Sequence, residues 1–253
     1  MTFIRYLPCN TLQPFVESFA VQETAEEQSY KVLPGTGLVI GFQYKGRLSY
    51  LENEKEIPLS VSGVTGLQDS FRIFKNSPQI GTVLVFFKEA GAAVFFKQPL
   101  HELFRESVSL DNFMLRSELL ILEEQLCEAQ TDQAKIKAVE RFLLSRIDPV
   151  FPDPLVVAAL TLIKDSKGTI RMKELAEKLN SSQSPLEKRF RKAVGASPKK
   201  FASIVRLRSL LQTYKPDQLL TELGYEAGFY DQAHFIKEFK TFTGQTPEDF
   251  FKK

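Results

Sequence analysis

The C-terminal part of this 253-residue chain contains one pattern of apolar residues, glycine and proline twice. In each copy a phenylalanine, Phe190 or Phe239, is followed five residues later by a glycine and three residues after that by a proline. An apolar residue precedes each phenylalanine by four positions, Leu186 in the first copy and Phe235 in the second. Residues four apart lie on one face of a helix, so the same helical face is buried twice. A short apolar helix precedes each copy, which predicts two helix-turn-helix units.

The charge of the chain is unevenly distributed, although the net charge is only +2. From Leu155 onward there are 18 basic and 11 acidic residues, a net charge of +7, which leaves −5 for the first 154 residues. A basic part that contains paired helix-turn-helix units indicates contact with a polyanion. The alternative is chance clustering of surface lysines. A helix-turn-helix places its second helix in the major groove, so double-stranded DNA is the predicted partner.

Composition argues against several other classes of protein. With 43% hydrophobic residues, the chain can form one large core or two ordinary ones. It contains no apolar stretch of roughly 18 residues and no export signal at its N-terminus, so we expect a cytoplasmic protein without a membrane partner. Cys9 and Cys127 form no C-x-x-C pair, and His101 and His234 are the only histidines. We therefore expect no metal site, no cofactor and no catalytic residue.

The first third of the chain has strand and turn patterns up to about Phe87. Its segments are short, rich in β-branched and aromatic residues, and separated by glycine, proline and asparagine, which predicts a β-barrel or sandwich. Residues 12–21 fit either a short helix or a strand. Short helices are predicted on both sides of Pro99, and a longer helical region is predicted to open at residues 109–111.

A pair of amphipathic helices is predicted to follow. Leucines recur from Leu115 with spacings of four, three and four, and a second helix is predicted over residues 136–147. The leucine stripe can close the N-terminal core or face the second subunit of a homodimer. Three prolines within residues 148–154 predict a stiff connector. We therefore place one domain at residues 1–150 and a second at residues 151–253.

Beyond Pro154 every segment has a helical pattern. The seven predicted helices lie at residues 155–163, 171–179, 184–194, 198–214, 217–227, 231–239 and 247–251. The predicted fold class is α+β, with a β-rich, barrel-like N-terminal domain that carries a helical appendage. An all-α C-terminal domain of seven helices with two helix-turn-helix motifs follows it.

Each copy of the repeated pattern belongs to a longer motif. In the second copy this motif comprises Gly228, Phe229, Asp231, Gln232, Phe235, Phe239, Lys240, Gly244, Thr246 and Pro247. In the first copy it comprises Glu174, Leu175, Ala176, Leu186, Arg189, Phe190, Gly195, Ser197 and Pro198. Together they resemble the C-terminal domain of the AraC/XylS family of transcription regulators, over about residues 155–253.

The N-terminal part resembles the same family more weakly. Residues 33–34, 82–96 and 99–110 are similar to the barrel-containing domain of some of these regulators. The resemblance implies sequence-specific binding of DNA, action on RNA polymerase, and an N-terminal domain that senses a small-molecule effector or forms a homodimer. Strand residues that fit an effector pocket, and equally a plain core, are Phe42, Tyr44, Phe86 and Phe87.

Outward-facing residues on the second helix of each copy are predicted to contact bases. They are Gln183, Ser184, Glu187 and Lys188 in the first copy, and Gln232, Ala233 and Lys237 in the second. Lysine suits guanine, glutamine suits adenine, glutamate suits the amino group of cytosine, and alanine suits the thymine methyl. For each of them the alternative is a solvated surface residue. Basic residues predicted to contact the DNA backbone, or to serve solubility alone, are Arg191, Lys192, Lys199, Lys200, Arg206 and Lys240.

The start of the first predicted recognition helix has two interpretations. Ser184, Pro185 and Glu187 fit a capping box, in which Glu187 is occupied locally and the helix begins late. Alternatively Ser182 is the cap and Pro185 lies inside the first turn. The helix predicted over residues 199–214 resembles the linker helix of the family. It would span about 24 Å, which could hold two recognition helices for major grooves about 34 Å apart.

One other function fits the same features. Basic helices alone give salt-sensitive, nonspecific binding to DNA, so an architectural or protein-interaction module remains the alternative to a sequence-specific regulator. Preference for particular bases distinguishes the two functions.

Overall fold

The computed structural model of the protein describes residues 2–148, 153–216 and 218–252. Within these residues the N-terminal part contains ten β-strands. They are β1 (Thr2–Tyr6), β2 (Val16–Thr24), β3 (Gln28–Val32), β4 (Val39–Lys45), β5 (Leu48–Glu52), β6 (Lys55–Pro58), β7 (Ser62–Thr65), β8 (Arg72–Asn76), β9 (Ile80–Phe87) and β10 (Ser107–Ser109).

The strands form two antiparallel sheets, which confirms the predicted β-rich N-terminal fold. One sheet has the strand order β1-β2-β9-β4-β7-β10, and the other has the order β3-β8-β5-β6. Residues 12–21, which fit either a short helix or a strand by sequence, contain the start of strand β2. A tight turn precedes that strand, since the amide of Val16 donates to the carbonyl of Leu12 at 2.8 Å. The short strand β10 lies after Lys88, where the sequence predicted helices alone.

Helical segments follow β9 much as predicted. Short 3₁₀ helices occupy Gly91–Val94 and Leu100–Leu103, on either side of Pro99. The helical region predicted to open at residues 109–111 begins there with a 3₁₀ turn, Leu110–Asn112, which Ser109 caps and which ends before the next helix begins.

The predicted helical pair consists of α1 (Arg116–Glu128) and α2 (Asp132–Leu144). Three leucines of the stripe are buried in the core, but Leu115 lies just outside α1 and is 69% exposed. The ring of Phe42 on β4 contacts Phe142 on α2, with 5.9 Å between ring centroids. The pair therefore covers one face of the six-stranded sheet, and the core interpretation of the stripe is confirmed for those three leucines.

The described C-terminal residues form the seven predicted helices. They are α3 (Pro154–Asp165), α4 (Met172–Lys178), α5 (Gln183–Val194), α6 (Pro198–Thr213), α7 (Leu220–Glu226), α8 (Gln232–Thr243) and α9 (Pro247–Phe251). Serine or threonine followed by proline starts α6 and α9, where the hydroxyl caps the helix and proline occupies its first turn. The predicted connector at residues 148–154 lies mostly outside the described residues.

The apolar residues form two separate cores, and the boundary between them does not follow the predicted domains. The larger core runs from the sheets through α1 and α2 into α3–α6, and it includes Leu186 and Phe190 of α5. The smaller core joins α6 to α7–α9. Its buried residues are Ile204, Leu207, Leu210, Leu223, Phe229, Phe235, Phe239 and Phe242. The first repeat therefore shares a core with the N-terminal part, whereas the second repeat has its own.

Candidate nucleic-acid interface

The second repeat is a helix-turn-helix made by α7 and α8, here called the second helix pair. Gly228 in the turn and Gly244 after α8 both have positive φ angles, 76° and 81°, a conformation that glycine adopts without strain. The carboxylate of Asp231 caps α8 by accepting from the amide of His234 at 2.7 Å. Phe235 and Phe239 are buried, as the sequence predicts. These residues fix the orientation of α8.

The opposite face of α8 is open to solvent. Its exposed residues are Gln232, Ala233, His234, Ile236, Lys237, Lys240 and Thr241. The structure thus brings together on one helical face the three side chains predicted to contact bases and one predicted to contact the backbone. Two lysines and a glutamine on that face can donate hydrogen bonds to acceptors on major-groove base edges and on phosphates.

The first helix pair, α4 and α5, has the same arrangement. Ser182 is the N-cap residue of α5, and Pro185 lies inside the first turn. The capping-box interpretation is therefore wrong: Glu187 does not bond back to the helix start and lies 3.8 Å from Arg191 instead. Exposed residues on α5 include the predicted base-contacting set, Gln183, Ser184, Glu187 and Lys188.

Residues 175–253, which contain both helix pairs, match the family described as a helix-turn-helix domain. Over 87 residues the chain is 36% identical to the Msm operon regulatory protein of Streptococcus mutans. These residues form an AraC-type helix-turn-helix domain. Residues 4–109 match a second family, described as a domain of unknown function (DUF6597).

Other similarities are more limited. An uncharacterized HTH-type transcriptional regulator of Staphylococcus aureus, SAS0078, is 30% identical over 82 residues. The chain spans 31% of the length of the Streptococcus protein and 11% of the Staphylococcus protein. Among solved structures, ToxT from Vibrio cholerae is similar over 92% of this chain and 97% of the ToxT chain. The sequence identity is 10% and the TM-score is 0.47. The C-terminal domain of AraT from Geobacillus stearothermophilus is similar over 41% of this chain and 88% of the AraT chain. The sequence identity is 21% and the TM-score is 0.38.

One structural residue of the AraC-type domain was missed by the sequence analysis. Glu238, on α8, accepts hydrogen bonds from Arg206 at 2.8 Å and from Ser203 at 3.2 Å, and it lies 3.2 Å from His234. The guanidinium of Arg206 also lies 4.1 Å from the ring centroid of Phe229. This cluster joins α6 to α8. The i, i+4 spacing of His234 and Glu238 is the sequence signal that could have indicated it.

The six residues predicted to contact the DNA backbone differ in their surroundings. Arg191, Lys192, Lys199 and Lys240 are exposed. Arg206 is mostly buried in the cluster with Glu238, so its side chain supports the fold first. Lys200, at the start of α6, forms an ion pair with a carboxylate of the N-terminal part.

That carboxylate belongs to Asp69, which is nearly buried. It accepts two hydrogen bonds from Arg105, at 2.6 and 2.8 Å, and lies 2.8 Å from the amino group of Lys200. Burial raises the pKa of Asp69, but the bonds from Arg105 and Lys200 lower it by more, so its pKa lies below the ordinary value. The ionised carboxylate therefore contributes to the attachment of α6 to the N-terminal part.

Acid should weaken this attachment. Because the folded pKa of Asp69 is depressed, its contribution is present above the unfolded pKa of about 3.9 and is lost as the pH falls through the folded pKa. We expect Asp69→Asn to lower the free energy of unfolding at pH 6, with a difference from the native protein that shrinks towards pH 3. Urea unfolding of both proteins across this range measures the effect. A difference that stays constant with pH would contradict the assignment.

Three further contacts join the second helix pair and α6 to the N-terminal part. Lys31 on β3 donates to the carbonyl of Thr243 at 2.9 Å, and Arg208 on α6 donates to the carbonyl of Pro34 at 3.0 Å. The ring of Phe71 lies against Gly244, where an added Cβ would come within 2.6 Å of it. The N-terminal part thus contacts both the linker helix and the C-terminal end of α8.

A cavity of about 500 Å³ lies within the N-terminal part, between the two sheets, and Arg208 of α6 contributes to its wall. Phe86 and Phe87, two of the predicted pocket residues, line it. Phe42 and Tyr44 are buried outside its lining. Phe42 packs against α2, and the hydroxyl of Tyr44 donates to Glu23 at 2.6 Å.

The described residues also bear on two other kinds of site, a membrane span and a metal centre. No helix within them combines the length and hydropathy that a membrane span requires. They also contain no cluster of three or more His, Cys, Asp or Glu side chains placed to hold a metal ion.

Proposed function

We propose that this protein is a transcription regulator that reads two successive major-groove segments of DNA, one with α5 and one with α8. The observation that carries the proposal is the repetition of one geometry. Each repeat buries the same face of its second helix and exposes a face with side chains able to contact bases. The linker α6 has 16 residues, a length of about 24 Å. A rigid connection of this kind suits two recognition helices on one side of a duplex.

On α8 the exposed side chains suit three different base edges. Gln232 can pair with adenine through two hydrogen bonds, Lys237 can donate to guanine, and Ala233 can contact the thymine methyl. On α5, Lys188 suits guanine and Glu187 suits the amino group of cytosine. Because Glu187 lies near Arg191, its contact with cytosine would compete with that ion pair. We therefore assign α8 the larger share of base recognition.

Substitutions on α8 separate base recognition from backbone binding. We expect Gln232→Ala and Lys237→Ala each to lose about 1–3 kcal/mol of discrimination at one base pair. Lys240→Ala, the matched control, should weaken binding equally to all sequences and reduce the salt dependence of the binding constant. Fluorescence anisotropy with the preferred site and its single-base variants measures both effects. Uniform weakening by all three substitutions would favour the nonspecific architectural or interaction module instead.

We further propose that a small-molecule effector in the cavity controls DNA binding. The wall of the cavity includes Arg208, whose guanidinium bonds to the Pro34 carbonyl in the same wall. A ligand there would contact the linker helix directly, and so could shift the placement of the two helix pairs. Arg5 and Arg72 also line the cavity, and Glu17 is the one acidic residue among the described lining residues. Basic residues thus outnumber acidic ones in the described lining of the cavity.

We also propose that the protein forms a homodimer and that this homodimer acts on RNA polymerase. On α1, Leu120 and Ile121 are 43% and 56% exposed, although the leucine stripe of the same helix is buried. Exposed apolar side chains of this kind suit contact with a second copy. Sedimentation of the native protein and of a variant with Leu120→Glu and Ile121→Glu tests this contact. Equal masses for the two would exclude it.

A further inference from the structure

The cavity owes part of its volume to glycine. Gly41 on β4 lies opposite Gly63 on β7 in the strand register, and both residues line the cavity. A Cβ added to Gly41 would make ordinary contacts, 3.4 Å from a methyl of Leu84 and 3.9 Å from a methyl of Thr82. The backbone therefore permits a larger residue at Gly41. Glycine within a strand commonly marks a place where a ligand approaches the backbone closely.

A row of polar side chains crosses the same sheet next to this glycine. The strand register aligns Gln22 on β2 with Thr82 on β9, and Thr82 with Gln43 on β4. All three line the cavity, although each is at most 6% exposed. Polar side chains in the interior of a sheet are usually bonded to a partner, because desolvation without one is unfavourable.

The members of this row differ in their partners. The amide of Gln22 donates to the hydroxyl of Tyr30 at 3.1 Å. The amide group of Gln43 donates to the carbonyl of Ser60 at 2.7 Å and accepts from the amide of Leu48 at 2.7 Å. The hydroxyl of Thr82 has no hydrogen-bond partner among the described residues. Its methyl group lies near Gly41, and the hydroxyl is shielded from solvent in this rotamer. Rotation about χ1 to another staggered rotamer would bring this unpaired donor to the cavity.

The apolar surroundings define the rest of the ligand. Leu84 and Phe86 follow Thr82 on β9 at alternate positions and line the same cavity. Successive residues of a strand rise by about 3.3 Å, so these side chains extend roughly 13 Å from Thr82. The floor of the cavity therefore has a polar end at Thr82 and an apolar stretch beyond it.

We propose that the cavity binds an apolar molecule whose hydrogen-bond acceptor, such as a ketone or ester carbonyl, accepts from the Thr82 hydroxyl. The apolar body of the ligand lies over Gly41 and against Leu84 and Phe86. This inference rests on the effector cavity of the proposed function and names the chemical class of its ligand. Binding of such a ligand is measured without DNA, so its failure is distinguishable from failure of the DNA-binding proposal.

Two neutral probes of equal size test the proposal, 2-acetylnaphthalene, which has a carbonyl, and 2-isopropenylnaphthalene, which has none. Because both are uncharged, the arginines of the cavity affect them alike. Equilibrium dialysis, with each probe quantified by its naphthalene absorbance, measures both affinities. We expect Thr82→Val to reduce the affinity ratio of the ketone to the hydrocarbon by about fivefold. Thr82→Ser, which keeps the hydroxyl, should preserve the ratio of the native protein.

A second variant tests the location of the probes. Gly41→Val should fill the space above the strand and weaken the binding of both probes by at least about tenfold. The thermal transition of each variant shows whether it remains folded. An unchanged ratio in Thr82→Val, unchanged affinities in Gly41→Val, or no binding of either probe by the native protein would overturn the proposal.

Discussion

The Phe239→Ala protein is expected to lose the fold of its second helix pair while its N-terminal part and first helix pair remain folded. Phe239 is fully buried and packs against Phe235, Phe250 and Phe251, with ring centroids 5.5–5.7 Å away. Removing such a ring costs about 3–5 kcal/mol, because apolar contacts are lost and a cavity remains. The core that contains it is small and separate from the larger one. The loss should therefore be local.

Amide hydrogen exchange followed by mass spectrometry measures this effect segment by segment. We expect fast exchange throughout α7–α9 in Phe239→Ala, with native protection in the sheets and in α5. Phe190→Ala is the matched control, because Phe190 occupies the corresponding position in the first repeat but belongs to the larger core. It should reduce protection in α5 and in the N-terminal part together. Equal loss of protection across the whole chain in Phe239→Ala would contradict the separation of the two cores.

Gly37→Ala should strongly destabilise the N-terminal part. A Cβ added to Gly37 would lie 1.9 Å from the carbonyl oxygen of Phe87, a backbone atom that cannot move without distorting β9. Overpacking of this kind costs about 1–3 kcal/mol and sometimes more. The segment also includes Pro34, whose carbonyl accepts from Arg208, so the distortion should also loosen the attachment of α6.

A nearby glycine provides the control for this prediction. A Cβ added to Gly35 would meet only a carbonyl oxygen 3.9 Å away, an ordinary contact. We expect Gly35→Ala to change the free energy of unfolding by less than about 0.5 kcal/mol. Denaturant unfolding of the two variants compares them directly. Equal stability of Gly37→Ala and Gly35→Ala would show that β9 accommodates the added atom.

Local sequence signals were sufficient to predict the helices of the AraC-type domain. The repeated spacing from Phe190 and Phe239 predicted which faces are buried, and glycines with positive φ end both α5 and α8. Ser197 and Thr246 gave the starts of α6 and α9, because the capping hydroxyl lies next to a proline in each case. Signals of this kind involve residues only a few positions apart.

Features that depend on distant residues could not be predicted in this way. Lys31 and Thr243 are bonded although they lie far apart in the chain, and no pattern near either residue indicates the other. The strand β10 is three residues long, too short for an alternation of apolar and polar residues to appear. Its pairing with β7 decides its conformation.

The cavity was predicted only in part for a related reason. Strands β4 and β9 are covered on both faces, one by the helical pair and the other by the second sheet across the cavity, so both faces carry large apolar side chains. Periodicity cannot then distinguish Phe42, which faces α2, from Phe86, which lines the cavity. Gly41 and Thr82 were overlooked because an absent side chain and an unpaired hydroxyl are visible only in the assembled sheet.

Selection of binding sites from random duplex DNA, with the native protein at near-physiological salt, tests the central claim most directly. The structure predicts one enriched motif with two blocks about one helical turn apart, one block for each helix pair. A parallel selection with Gln232→Ala and Lys237→Ala should relax the block that α8 contacts and leave the other unchanged. Failure of the native protein to enrich any motif would contradict sequence-specific recognition.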